Sequence, residues 1–382
     1  MRHMKDGVAI IGVGQTKFKE VISETIPEMV YFAVREALED AQLEISDIDH
    51  VVTASVDLWD GMTASNAAVT EVVGAVMKPE VRVSQDGLLA CYHAYMMLRA
   101  GLYNAVLVVA HCKGSMGDYY SISNWSFDPI YQQRLGLDFL SAGALQANSY
   151  MHRYGITQEQ CARVVVMNRS SGQKNPRSLG LPKVAIDDVL QSPLLACPIK
   201  SLDAAPVCDG ACALVLTSSQ RKAKSSDKPV WIRGAGACLD AHYLGDRDLS
   251  KAASLIHASQ QAYQMAGIKY PKKEIDLAEL SEFFSYQELL WLEGLSFCDS
   301  GEAGRMLDEE IISRDGKLSI NPSGGVLSGV PYVVAGLNRL AEAVLQVRGE
   351  AEGCQLSGVG TALAQGTTGP AGQDHCVLVV SA

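Results

Sequence analysis

The chain reads as an internally duplicated α/β protein whose strands and helices stack in five layers, α/β/α/β/α. Three observations predict this. The run Val8-Ala-Ile-Ile-Gly-Val-Gly14 returns as Val230-Trp-Ile-Arg-Gly-Ala-Gly236, and self-similarity of this kind marks a repeated unit. Apolar strand-like runs alternate with helical segments, which implies mostly parallel βαβ units. Two helical segments, Leu88 to Leu98 and Tyr332 to Val347, are apolar on nearly all faces. A helix of that kind needs cover on every side, so each is expected between sheets.

The elements follow in order. The first run reads as a strand closed by a glycine turn. Pro27 then opens a helix with Val30, Val34, Ala37, Leu38 and Ala41 on one face, and Asp49-His-Val-Val-Thr-Ala54 reads as the next strand. After the second copy come a helix from about Lys251 to Ala266, a stop at Gly267, and Asp276-Leu-Ala-Glu-Leu280. Ser84-Gln-Asp-Gly87 leads into one apolar helix, and Asn321 to Pro331 leads into the other. Each helix is followed by an apolar strand, Ala105 to Ala110 in one half and Cys376 to Val380 in the other. The halves are expected at 1–220 and 228–382, joined by the polar linker Ser218 to Lys228. Residues 113–206 belong to no repeat unit, and an insertion of that size is expected at subunit contacts and the ligand mouth.

The 382 residues, 48% hydrophobic and 20% charged, have an ordinary enzyme-like balance. A net charge of −11 argues against a nucleic-acid surface, while the local cluster Lys174, Arg177 and Lys183 still suits an anionic ligand. No basic-then-apolar leader and no long apolar run is present, so a cytoplasmic protein without a membrane span is expected. The cysteines lack Cys-x-x-Cys spacing and are expected to be reduced, with no metal site. The adjacent glycines of Asn321-Pro-Ser-Gly-Gly325, just ahead of a helix start, are where backbone N–H groups approach a thioester or enolate oxygen.

That segment resembles the C-terminal signature of the thiolase superfamily, Asn-x-x-Gly-Gly followed by Gly-His-Pro, with Val330 at the histidine. Val8 to Phe18, Gly155 to Ala162, Asp209 to Leu216, Glu279 to Leu290 and Asn321 to Gly349 extend the resemblance over nearly the whole chain. It is strongest to the sterol-carrier-protein and lipid-transfer branch. The resemblance implies the thiolase fold, coenzyme A as substrate or product rather than a tightly bound cofactor, and a homodimeric core. Counting back from Gly101 and Ala90 with the family spacing puts the acyl-carrying cysteine at Ser84. The His-Asp-x-Phe element is Ser281-Glu-Phe-Phe284, the later Asn-Glu pair is Gln287-Glu288, and Ala364-Gln365-Gly366 stands where relatives place a cysteine or histidine.

Loss of the cysteine and both histidines removes the acyl carrier and its proton relay, yet the glycine turns and helix starts that stabilise an oxyanion remain. The catalytic candidates are therefore Ser84, Tyr332, Glu282, Glu288 and His111. Gly87, Ser281, Gly324, Gly325, Val330, Gln365 and Gly366 are candidates to hold the substrate or its oxyanion, and Lys174, Arg177 and Lys183 to hold CoA. Cys91 is a displaced thiol, Tyr243 and Tyr286 are further phenols, and His93 lies on an apolar helix. His111-Cys112 and His375-Cys376 form a dyad if their strand ends meet. Three functions are implied. One is thiolytic cleavage of a β-ketoacyl-CoA, bulky or aromatic as in benzoylsuccinyl-CoA thiolases, whose thiolase-like subunit works beside a small zinc and OB-fold partner. The second is retro-aldol cleavage of a β-hydroxyacyl-CoA, and the third a non-catalytic scaffold in a heteromeric complex.

Overall fold

The computed structural model describes residues 7–219, 228–314 and 316–382, so most of the expected linker lies outside the described residues. The first half holds β1 (Val8–Gln15), α1 (Ile26–Ala41), β2 (His50–Ala54), α2 (Asp57–Asp60), β3 (Glu80–Val83), α3 (Gly87–Arg99) and β4 (Ala105–Lys113). The segment expected to lie outside the repeat is mainly helical, with α4 (Tyr119–Asn124), α5 (Phe139–Tyr154), α6 (Gln158–Gly172), α7 (Ile186–Gln191) and a small pair of strands, β5 (Leu194–Ala196) and β6 (Ile199–Lys200). It returns to the sheet through β7 (Asp209–Ser218).

The second half holds β8 (Val230–Leu239), α8 (Ala253–Ala266), α9 (Pro271–Glu274), β9 (Leu277–Glu279), α10 (Ser285–Gly294), α11 (Ala303–Asp308), β10 (Ser319–Ile320), α12 (Ala335–Arg348), β11 (Thr361–Thr368) and β12 (Asp374–Ser381). A 3₁₀ turn, Tyr332–Val334, feeds α12.

The strands run β3-β2-β4-β7-β1 and then β8-β12-β11-β9-β10. The second series is the first in mirror order, strand for strand, and the two join where Ala9 and Ile10 pair with Trp231 and Val230. Helix α1 covers β1 and β7, α8 covers β8 and β12, and α3 and α12 lie together between the two halves of the sheet. That is the five-layer α/β/α/β/α stack.

Three expectations change. The sheets are mixed: β2 is parallel to β3 and β4, but β7 is antiparallel to β4 and β1, and β12 is antiparallel to β11 and β8. The tight return from β11 to β12 forces the reversal in the second half; in the first half the same reversal is made through the long segment between β4 and β7. The counterpart of Ala105 to Ala110 is β11 and not Cys376 to Val380, whose place is that of β7. Thr, Gln and Gly in β11 conceal a strand that is nonetheless almost wholly buried. The repeated glycines also lie inside strands and do not make turns. A Cβ at Gly12 or Gly14 would strike the carbonyl oxygens of Ala37 and Ala33 in α1, and one at Gly234 or Gly236 those of Ala262 and Ala258 in α8. Each pair lets an outer helix lie directly on a strand backbone.

Helix α1 starts as its sequence dictates. Thr25 caps it in a box with Glu28, Pro27 stands in the first turn, and Gln42 closes it in the left-handed region.

Candidate active site

Pro331 ends the extended approach to α12 and sets Tyr332 at the head of its first turn. The Tyr332 ring sits among Phe283, Trp59, Phe139 and Tyr119, with centroids 4.9, 5.5, 5.5 and 5.8 Å away. Its hydroxyl lies 3.1 Å from Thr368 Oγ1 and accepts the Gly369 N–H at 3.2 Å. Burial pushes this phenol up to about 12, so it is protonated at neutral pH.

Two chambers meet at this ring. One, with about 520 Å³ of empty space including solvent at its mouth, is lined by Trp59, Cys112, Tyr119, Pro206, Val330 and Tyr332. The other, about 300 Å³, shares Tyr119, Phe283 and Tyr332 with it and adds Gln287, Thr367, Thr368 and Gly369 to its wall. The 113–206 segment thus supplies Tyr119 and Pro206 to the cleft, and Val330 presents an isopropyl group where the family signature has a histidine. Cys112 also faces the cleft, but burial pushes its thiol well up and keeps it un-ionised.

Asp86 is the residue that sequence reasoning missed. Its Oδ1 accepts the Leu88 N–H at 2.8 Å and its Oδ2 the Gly336 N–H at 2.8 Å, so one carboxyl group caps both central helices. A Cβ at Gly336 or Gly366 would collide with Asp86 Oδ1, which accounts for both glycines. Gly87 matters for packing instead, since its bare Cα lets α3 meet Leu337, Ala110 and the Val333 carbonyl. Burial, reinforced by Asp374, raises Asp86 to about 7. The helix starts expected to hold a substrate oxyanion are therefore filled by the chain's own carboxyl group. An aspartate directly before a helical glycine is an N-cap signal, and that was the available clue.

The turn after Asn321 serves the interior. Asn321 (φ +46°), Gly324 (+108°) and Gly325 (+63°) all occupy the left-handed side. Asn321 Nδ2 donates to Glu282 Oε2 at 3.0 Å and Glu288 Oε2 at 2.7 Å, and Asn168 Nδ2 donates to Glu282 Oε1 at 3.1 Å and Glu288 Oε2 at 2.7 Å. A Cβ on Gly325 would strike Glu282 Oε1. Burial, with Glu288 next, pushes Glu282 well up, and burial raises Glu288 to about 7. Both glutamates are 0% exposed and neither lines a chamber. Both carboxyl groups accept from the same two asparagines and so shape the turn, which corrects the expectation that they face the substrate. The same correction applies to Gly324 and Gly325.

The remaining candidates scatter. Ser84 is exposed, and its one hydrogen bond among the described residues is a long 3.5 Å contact from Oγ to the Ser55 carbonyl. Cys91 is wholly buried in α3, its thiol pushed up by burial. His111 and Cys112 alternate across β4: Cys112 faces the cleft while His111 Nε2 lies 3.2 Å from Asp60 Oδ2 in a buried pair. His375 Nδ1 is 2.9 Å from Gln365 Nε2, and burial pushes its ring down to about 3. Among the described residues the two histidines thus have separate partners, Asp60 and Gln365.

Gln365 Oε1 accepts the Ser281 N–H at 2.9 Å, which ties both to the fold and not to a chamber. Tyr286 donates to Gln146 at 2.8 Å, Tyr243 is exposed beside Asp128, and His93 is half-buried on α3. Arg177 is held by Glu36 at 2.8 Å, whereas Lys174 and Lys183 are exposed and border neither chamber. Among the described residues no group of three or more His, Cys, Asp or Glu is placed to hold a metal, and no helix is long and apolar enough to cross a membrane.

Residues 236–382 match the family described as Thiolase C-terminal domain-like. The acetyl-CoA acetyltransferase of Methanothermobacter thermautotrophicus is 32% identical over 93% of this chain and 94% of its own. The chain belongs to the thiolase superfamily. Its place is the sterol-carrier-protein-like branch: sterol carrier protein 2 of Oryctolagus cuniculus is 28% identical over 93% of this chain and 69% of its own length. The steroid side-chain-cleaving aldolase of Thermomonospora curvata is 30% identical over 91% of this chain and 92% of its own. Among solved structures of this fold, the Ltp2-ChsH2(DUF35) aldolase superposes with a TM-score of 0.84 at 26% identity, covering 98% of each chain.

Proposed function

We propose that this thiolase-superfamily chain cleaves a β-hydroxyacyl-CoA by a retro-aldol reaction, giving a carbonyl compound and a shorter acyl-CoA. One observation carries the reading: Ser84 is exposed and among the described residues hydrogen-bonds to no basic side chain, while the Tyr332 and Thr368 hydroxyls pair inside the cleft. Thiolysis of a β-ketoacyl-CoA needs an acyl-carrying nucleophile, and a serine hydroxyl without a base is a poor one. Retro-aldol cleavage needs none. The β-hydroxyl loses its proton, the Cα–Cβ bond breaks, and its electron pair forms a thioester enolate that is protonated at Cα. A phenol raised to about 12 is almost wholly protonated at neutral pH and so acts as a proton donor and relay rather than as a standing base. Paired with Thr368, it fits a relay that takes the β-hydroxyl proton at one hydroxyl and returns a proton at the other.

The two aldolases among the similar proteins support the same choice. The ChsH2(DUF35) component of the second supports a small partner subunit, for which an OB-fold protein with a zinc ribbon is our candidate. Among the described residues strand β3 ends the sheet with one edge unpaired, which favours a homodimer built across that edge. Lys174 and Lys183 remain the candidate contacts for CoA phosphates.

The test is turnover of a β-hydroxyacyl-CoA without added CoA, by the chain alone and with its partner. Tyr332→Phe is expected to lower kcat by roughly 10³-fold. Normal turnover by that variant removes Tyr332 from the chemistry. Product formation that requires free CoA restores the thiolytic reading, and no turnover under any condition leaves the scaffold.

A further inference from the structure

The larger chamber of the cleft is walled by rings and carries no charge. Six of its fourteen lining residues, Trp59, Tyr119, Tyr120, Phe283, Phe284 and Tyr332, are aromatic, in a chain with 7% aromatic residues. Rings are thus the main material of this wall. Among the described residues, neither chamber is lined by an Asp, Glu, Lys, Arg or His side chain. Val330 stands where the family signature would have supplied a titratable group. An acyl chain ending in a second carboxylate would therefore be buried there unpaired, with no cation in the wall to offset its desolvation.

The rings meet at set angles. Tyr119 stacks on Trp59 at 4.7 Å with 25° between the planes. It stands edge-on to Tyr120 at 5.5 Å and 88°, and to Tyr332 at 5.8 Å and 75°. Phe283 is tilted by 48° to Tyr332 at 4.9 Å. Ring faces and ring edges are therefore offered together, and these are the surfaces with which a planar aromatic group pairs and a saturated ring of similar size does not.

Trp59 is fixed from behind. Its neighbour Asp60 and the neighbour of Cys112, His111, are 1% and 0% exposed, and His111 Nε2 lies 3.2 Å from Asp60 Oδ2. Trp59 and Cys112 both line the chamber, so the pair joins α2 to β4 one residue behind the wall. The retro-aldol chemistry uses neither group.

We propose that Trp59, held by the Asp60–His111 pair, makes the larger chamber selective for an uncharged, planar aromatic substituent on Cβ of the acyl-CoA. The carbonyl compound released is then an aryl aldehyde or ketone. The position on Cβ rests on the retro-aldol reading. Tyr332 lines both chambers, and its hydroxyl pairs with Thr368, which lines only the smaller. A substrate whose β-hydroxyl meets that pair has the larger chamber for its β-substituent. Asp60 and His111 are positioning residues that act through Trp59.

Calorimetric titration of the intact chain with acyl-CoAs that lack the β-hydroxyl, and so cannot be cleaved, tests this. The probes are 3-phenylpropanoyl-CoA, 3-cyclohexylpropanoyl-CoA and 3-(4-carboxyphenyl)propanoyl-CoA. Area alone favours the cyclohexyl ring, which is larger and more apolar, so a preference for phenyl reports ring–ring pairing. The native chain is expected to bind the phenyl compound about threefold or more tighter than the cyclohexyl one, and about tenfold or more tighter than the carboxylate. Trp59→Leu should abolish the phenyl preference and Trp59→Phe should keep it, with the affinity for CoA itself unchanged in both. Asp60→Ala should weaken the preference as Trp59→Leu does, whereas Asp60→Asn, which can still accept from His111, should retain it. Should Asp60→Ala fail to fold, His111→Phe, which keeps the volume without the pair, replaces it. In the native chain, a cyclohexyl or carboxylate compound bound as tightly as the phenyl one overturns the site, as does a phenyl preference that survives Trp59→Leu. A preference that survives loss of the pair removes Asp60 and His111 from it. Absence of retro-aldol turnover would defeat the proposed reaction yet leave these ratios as they are, so the two failures are distinguishable.

Discussion

The two central helices begin in opposite ways, although both descend from one repeated plan. Helix α3 starts from an exposed Ser84 and a single capping carboxyl, Asp86. Helix α12 starts behind a wholly buried turn, with Asn321, Gly324 and Gly325 wrapped around Glu282 and Glu288. Asp86 also reaches across to cap α12 at Gly336, so the simpler start serves both helices. The more elaborate start is then free to place Tyr332 in the cleft. Duplication supplies two equivalent positions, and here the α3 start supplies the shared cap while the α12 start carries both the buried network and the residue that faces the cleft.

If that division is correct, the largest effect on activity belongs to Tyr332→Phe, and the largest effect on stability belongs to Asn321. Asn321→Ala removes the donor shared by two buried carboxyl groups, together with the acceptor of the Leu280 N–H at 2.7 Å. Loss of such a network should lower stability by about 3 kcal/mol, read from urea unfolding. A change below about 0.5 kcal/mol would mean that the turn does not depend on this network.

The fold was legible because its signals are repetitive. Strand, outer helix and strand recur with the same glycines, and a helix apolar on all faces has only one place to go. Strand β11 escaped notice because Thr361, Gln365, Thr367 and Thr368 carry little apolar pattern, although most of the strand is buried. The site was half legible. Tyr332 and Val330 stand next to a recognisable signature, so their position in the cleft followed from sequence. Asp86 acts on a residue far along the chain, Gly336, and no local spacing announces a contact of that range. Sequence does not say which way a buried carboxyl group points, and Glu282 and Glu288 point to Asn168 and Asn321.

The shared cap predicts a pH dependence. Asp86 is raised to about 7 from an ordinary value of 3.8, so between about pH 4 and 7 the folded chain binds more protons at this group than the unfolded chain does. Stability contributed by Asp86 therefore falls as pH rises through that window, and the loss is complete above about 7, on the order of 1.4 kcal/mol per unit while it lasts. Asp86→Asn retains one acceptor oxygen and cannot ionise. Across about pH 4 to 7 its stability, read from urea unfolding, should lack the fall that Asp86 imposes on the native chain. Parallel curves would show that Asp86 is ionised throughout, and that the two helix N–H groups stabilise its charge more than burial opposes it.

Ser84 should show the smallest effect, and it separates the two helix starts most directly. An exposed hydroxyl whose one contact is a 3.5 Å approach to a carbonyl contributes little to folding. On the retro-aldol reading it contributes nothing to the chemistry either. Ser84→Ala should leave kcat/KM within about twofold and stability within about 0.5 kcal/mol. Ser84→Cys is the sharper half of the test, because it restores the thiol that the family signature calls for. The thiol alone should not produce CoA-dependent cleavage of a β-ketoacyl-CoA, since Val330 cannot relay the proton that a histidine at that position would. If Ser84→Cys gains that activity, a relay survives elsewhere in the cleft and the chain is closer to a thiolase than Tyr332 suggests.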